Sequence, residues 1–233
     1  MKRLPFSGGN FFCPLTLLFI YLSLWTGCCG TPKPIPDWLN TSYYKLESYK
    51  KSYLMGNEKI AALQFKGLLS EVKKTGDLQV LGTVYLTRLA LQTAVLEEMT
   101  DKAYRQLDEV SPDPQNRSFY AFLKGETARV DESLLPRQYR GVLRNLRPGS
   151  DADPWREIAE MEEPLSQLIA IGVVMRFRPD DEALMMKALD TASRQGWKKA
   201  VLVYLKRLQA YYEGKKELSK AQAIGQRLDL IRD

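Results

Sequence analysis

The chain contains no histidine. That absence removes Ser-His-Asp and Cys-His nucleophilic catalysis, histidine-ligated zinc sites and the commonest general base. Carboxylate or lysine chemistry is what remains. Cysteine is nearly as scarce: Cys13, Cys28 and Cys29 are the only three, so nothing after position 29 can form a disulfide. The folded part must rest on its hydrophobic core. No glycine-rich phosphate loop is present, and no apolar stretch has the length and character of a membrane span, for which roughly 20 residues are needed. The formal charge of +6 is modest for 233 residues. It gives weak attraction to anionic surfaces and does not imply nucleic acid. What is present is a 45% hydrophobic, 27% charged composition, enough for one domain with a substantial core.

At the N-terminus, Lys2 and Arg3 precede an uncharged apolar run, Leu15–Trp25 (LTLLFIYLSLW), of 11 residues. This is the profile of an export signal, and it is too short to span a bilayer. Thr26, Gly27, Cys28 and Cys29 follow. A small residue, then glycine, then cysteine resembles the lipobox of bacterial lipoproteins, with Trp25 where leucine is usual. Cys28 fits better than Cys29, whose preceding residue is itself Cys28. The resemblance implies cleavage after Gly27, a diacylglyceryl thioether on the Cys28 sulfur and often an acylated amine. Two or three acyl chains anchor stably where one is marginal. Cys29, rather than the aspartate that favours inner-membrane retention in enterobacteria, points to an outer-membrane lipoprotein facing the periplasm of a bacterial envelope. A plain secretory signal and an uncleaved anchor are the alternatives. Thr31-Pro32-Lys33-Pro34-Ile35-Pro36 then reads as a polyproline tether rising about 3.1 Å per residue. The organisation expected is a lipoprotein signal peptide at 1–27, a lipidated cysteine and proline-rich tether at 28–37, and a helical-repeat domain at 38–233.

Helical periodicity runs almost throughout the remainder. Leu39, Tyr43, Leu46, Tyr49 and Tyr53 fall on one stripe; Ala61, Phe65, Leu68, Leu69 and Val72 on another; Leu135, Tyr139, Val142 and Leu146 on a third. Val201, Tyr204, Leu205, Leu208, Tyr211 and Tyr212 are followed by Leu218, Ala221, Ile224, Leu228 and Ile231. Gly56-Asn57, Gly76-Asp77, Ser111–Pro114, Pro148–Asp151 and Gly196 punctuate the stripes, several with aspartate at a plausible N-cap. No alternating strand pattern is evident. Leu78–Leu96 and Leu165–Met175 are apolar nearly all round, which predicts inner helices. The fold expected is all-α, about ten helices in antiparallel pairs.

Leu81-Gly82-x-x-Tyr85, the spacing of Gly56, Ala61 and Phe65, and the placement of Trp197, Tyr204 and Ala221 together resemble the tetratricopeptide repeat. The similarity covers roughly 39–110 and 195–232; residues 111–194 depart from it, and no repeat unit is complete. The resemblance implies antiparallel helical hairpins stacked as a tetratricopeptide-like α-solenoid. Lipoproteins of this size with such repeats are similar to envelope scaffolds: outer-membrane assembly components and pilotins of secretion or pilus systems.

Among polar features, Arg137, Arg140, Arg144 and Arg147 share one face at spacings of 3, 4 and 3. Arginines at that pitch grip carboxylates or phosphates, so they form the candidate surface for a partner or anion. The plainer alternative is a solvated face paired with Glu157, Glu160 and Glu163. Tyr43, Tyr44, Lys45, Tyr49, Lys50, Lys51 and Tyr53 mix aromatic and basic residues, but the stripe sends Tyr43, Tyr49 and Tyr53 inward. The acid pairs Asp151/Asp153, Glu162/Glu163 and Asp180/Asp181 are candidates for carboxylate catalysis, although Asp153 and Asp180 stand where helix N-termini favour negative charge. No cofactor, metal or nucleic acid is implied. The expectation is a non-enzymatic, lipid-anchored periplasmic scaffold that holds an envelope protein. The rivals are a peptidoglycan-directed enzyme using paired carboxylates and a carrier of lipid or another small ligand.

Overall fold

The computed structural model describes residues 36–150 and 152–232. The stretch expected to be a signal peptide, Cys28 and nearly all of the stretch expected to be a proline tether lie outside the described residues, as does Asp151. Among the described residues there are eleven α-helices and no strand. They are α1 (Asp37–Leu54), α2 (Glu58–Lys73), α3 (Leu78–Ala94), α4 (Lys102–Val110), α5 (Pro114–Lys124), α6 (Arg137–Leu146), α7 (Trp155–Ala159), α8 (Pro164–Phe177), α9 (Glu182–Arg194), α10 (Lys198–Gly214) and α11 (Leu218–Arg232). The protein is all-α, as the periodicity predicts.

Local chemistry sets the boundaries. Asp77 accepts hydrogen bonds from the Gln79 and Val80 amides at 2.9 and 3.0 Å, which starts α3. Asp113 and Asp181 do the same for α5 and α9, each through the amide three residues on. Pro114 and Pro164 occupy first-turn positions, where a missing N–H costs nothing. The short turns between paired helices use a left-handed residue: Gly56, Gly76 and Gly196 have φ of 83°, 67° and 67°. The turn between α10 and α11 puts Lys216 in the same conformation, at φ 62°.

Helices α1 and α2 form one antiparallel hairpin, and α9, α10 and α11 form a run of two more. Helices α3 and α8 pack on each other at the centre, as expected of segments without a polar face; nine residues of α8 are buried, from Ser166 to Val174. Their backbones approach closely at Gly172, where a Cβ would fall 2.1 Å from the Thr93 carbonyl oxygen. The buried Gln167 is partnered at both ends of its amide: it donates to the Ile158 carbonyl at 2.8 Å and accepts from the Thr191 hydroxyl. Helix α10 also packs against α1, so the two ends of the array meet beside the central pair. The result is one continuous core.

Two stripe assignments need correction. Leu39 and Tyr43 are 45% and 60% exposed, while Ser42, Tyr49 and Leu54 are buried. At about 100° per residue, Tyr43 lies about 120° from Tyr49, so steps of three drift off the buried face of α1. Leu218 is also exposed, because it opens α11, an edge helix covered only by α10.

Candidate functional site

A groove of about 490 Å³ opens between α1, α2, α3 and the start of α10. Its apolar floor comes from Tyr49 on α1 and from Ala61, Phe65 and Leu69 on α2. The Tyr49 and Phe65 rings lie 4.8 Å apart, and Tyr53 meets Tyr49 edge-on at 5.8 Å. The i, i+4 spacing of Tyr49 and Tyr53, and of Ala61, Phe65 and Leu69, puts each set on one helix face.

One end is closed by a charged network. Leu96, at φ 54°, turns the chain sharply after α3, and the Glu97 amide donates back to the Gln92 carbonyl at 2.8 Å. Gln92 is buried and holds Thr100 through both ends of its amide, at 3.0 Å each. Glu97 is thereby directed at Tyr53, whose hydroxyl donates to it, and at Lys199 of α10, whose ammonium is 2.6 Å away. The same ammonium lies 4.3 Å from the Tyr53 ring centroid and 3.8 Å from Glu58. Burial, followed by the Glu97 hydrogen bond, pushes the Tyr53 hydroxyl well above the ordinary tyrosine pKa, so it stays a donor. Burial raises Tyr49 likewise, against the opposing pull of Arg88.

Toward the middle, Arg88 of α3 carries its guanidinium 5.4 Å from the Phe65 centroid, a cation–π contact. It has no carboxylate within 4.0 Å among the described residues. Lys66 lines the same groove from α2 and is exposed. The arrangement can clasp an apolar side chain on its floor and supply cationic donors beside it. The helices and groove define the class: an all-α protein whose first and last hairpins jointly frame a cleft. No family model matches the chain, nor does any curated protein or solved structure.

The arginine stripe is divided among different tasks. Arg140 donates to the Leu135 and Ser133 carbonyls at 2.8 and 2.7 Å and so clamps the turn that leads into its own helix. Arg144 and Arg147 reach Glu132 at 3.7 and 3.2 Å. Arg137 makes no ion pair among the described residues and, with Arg144, borders a polar cavity of about 530 Å³ beside Glu157, Glu160 and Glu163. The expected pairing with those glutamates does not occur. Glu160 pairs with Arg156 at 3.1 Å, Glu163 caps α8 and Glu157 lies over Gly141.

Members of the acid pairs are engaged elsewhere too. Asp153 accepts from the Trp155 amide at 3.0 Å, Asp181 caps α9 and Asp180 meets Arg207 at 2.7 Å. Among the described residues no cluster of three or more acidic or thiol side chains is arranged to hold a metal ion. Leu86, Leu89 and Ile169, where a carrier would need open space, are buried in the continuous core.

The groove residues Arg88, Glu97 and Lys199 were not singled out by sequence reasoning. One signal was there: Arg88 is the only charged residue in α3, a helix otherwise uncharged along its length.

Proposed function

We propose that this protein is a non-enzymatic adaptor, fastened to a bacterial outer membrane through lipid on Cys28 and holding a protein partner on its periplasmic side. The groove formed by the first hairpin, α3 and the start of α10 is the partner site, and the machine served is one of envelope assembly, secretion or piliation. The observation that carries the reading is the groove itself: a floor that includes the Tyr49 and Phe65 rings, with the Arg88 guanidinium beside Phe65 and no carboxylate within 4.0 Å of it among the described residues. Aromatic and arginine anchors in a concave surface are the side chains that dominate protein–protein binding energy. The tetratricopeptide-like spacing of Gly56, Ala61, Phe65, Leu81, Gly82 and Tyr85 supports the same reading, since such repeats act as binding surfaces. A proline-rich segment between Cys28 and α1 would hold the groove away from the lipid surface.

The test is a photo-crosslinking side chain placed at Ala62, which is exposed and lines the groove. Irradiating intact cells is expected to yield one or a few discrete protein adducts from the envelope fraction. Ala62→Trp, which fills the groove without touching the core, is expected to abolish the same adducts when the crosslinker sits at Lys66. Adducts only to lipid, or none that Ala62→Trp alters, overturn the reading.

A further inference from the structure

The charge left over in the groove specifies what the partner must bring, an inference that rests on the adaptor reading. Two carboxylates border the groove, Glu58 and Glu97, and both converge on Lys199 at one end. Arg88 therefore stands without an acidic partner among the described residues, half-buried beside Phe65. An occupant that covers the floor strips water from the guanidinium. A desolvated cation without a counter-ion is strongly unfavourable, whereas an arginine paired with a carboxylate makes one of the strongest polar contacts available to a protein.

The neighbouring groups narrow the choice further. At the Lys199 end two carboxylates share one ammonium, which leaves net negative charge there and disfavours an extended polyanion such as a nucleic acid. The floor, Tyr49, Phe65 and Leu69, calls for a large apolar side chain next to the anion. We infer that the groove takes a segment of a partner protein in which an internal aspartate or glutamate stands within a position or two of a large apolar residue. The carboxylate meets Arg88, with Lys66 nearby, and the apolar side chain seats on Phe65 and Leu69. The carboxylates held at Lys199 turn the acidic residue away from that end, so the segment lies in one direction.

The experiment is panning of a random dodecapeptide library on the full-length protein and on its Arg88→Gln and Ala62→Trp variants, with helicity and melting checked first. Enriched clones are expected to carry Asp or Glu beside Phe, Leu or Trp, and to be lost on both variants. In a synthetic peptide from the enriched set, replacing the acid by its amide is expected to weaken binding roughly tenfold on the unaltered protein and not at all on Arg88→Gln. Enriched peptides without an acidic residue, or acidic peptides that bind Arg88→Gln equally well, overturn the charge assignment and leave the adaptor reading standing. No enrichment over a blank surface removes both.

Discussion

Tyr204 of α10 donates its hydroxyl hydrogen to the carbonyl oxygen of Ala94 at the end of α3, 3.0 Å away and 110 positions earlier in the chain. The tyrosine is fully buried, and burial drives its pKa well above the ordinary range, so it keeps the proton that it donates at any physiological pH. The bond ties the last hairpins to the central helix beside the groove. Tyr204→Phe keeps the ring and leaves the Ala94 carbonyl unsatisfied. A loss of about 1–2 kcal/mol is expected, read as a lower urea midpoint with an unchanged slope. No change would mean that water replaces the hydroxyl.

Gly172 admits the closest approach of α3 and α8. Its Cβ in Gly172→Ala would meet backbone, the Thr93 carbonyl oxygen, rather than a side chain that can rotate away. The two inner helices must separate. The expected cost is about 3 kcal/mol, measured by chemical denaturation. Gly214→Ala has open space around it and serves as the control, with little change expected.

Lys216 stands in a left-handed conformation that glycine fills at the three comparable turns. Lys216→Gly removes a penalty of about 1–2 kcal/mol and adds part of it back as unfolded-chain entropy. A net gain of about 0.5–1 kcal/mol is expected, seen as a melting temperature several degrees higher. Lys216→Ala, which keeps the strain, should not reproduce it.

Asp101 is partly desolvated, which alone would raise its pKa. The Tyr120 hydroxyl at 2.6 Å, Arg105 and Lys124 outweigh that and hold the carboxyl below its usual value. A depressed folded-state pKa contributes stability above the unfolded value, about 3.9, and the contribution disappears as pH falls through the folded value. Stability of the unaltered protein is therefore expected to drop between about pH 4 and the acid limit more steeply than that of Asp101→Asn. Parallel curves for the two would dismiss the assignment.

Cys28→Ser removes the proposed lipid attachment. The expected outcome is loss of the acyl mass in intact-protein mass spectrometry and of detergent partitioning, with the helical domain's circular dichroism unchanged. Retention of both lipid mass and membrane association would exclude Cys28 as the anchor.

Much of the fold was readable because it depends on local chemistry. Asp77, Asp113 and Asp181 cap where a short acidic side chain precedes an apolar stripe, and α3 and α8 declare their central position by lacking a polar face. The turn at Lys216 has no glycine at its left-handed position, and Gly214 two residues earlier is still helical, so the change of stripe between Tyr212 and Leu218 was the better marker. Tyr43 was sent inward because steps of three and four look alike in a sequence but accumulate rotation on a real helix. The groove was less legible. It exists because α10 returns to α1 and α3, and nothing in the separate stripes says which helices meet. Even so, a single arginine in the uncharged α3 was a clue, since such a residue must reach solvent, an acid or a ring. The contacts of the arginine stripe were not legible either: regular spacing shows a shared face but not the nearby Glu132 and turn carbonyls that engage three of its four members.

The end wall of the groove depends on Lys199, which is delivered late in the chain, whereas Tyr49, Phe65 and Arg88 come early. A nascent polypeptide that has emerged only through α9 would own the aromatic floor but lack the ammonium that restrains Glu97 and Glu58. The wall therefore closes only once α10 has packed beside α1, and a fragment ending before α10 is expected to leave Glu97 and Glu58 without their ammonium and the Tyr53 ring without its cation.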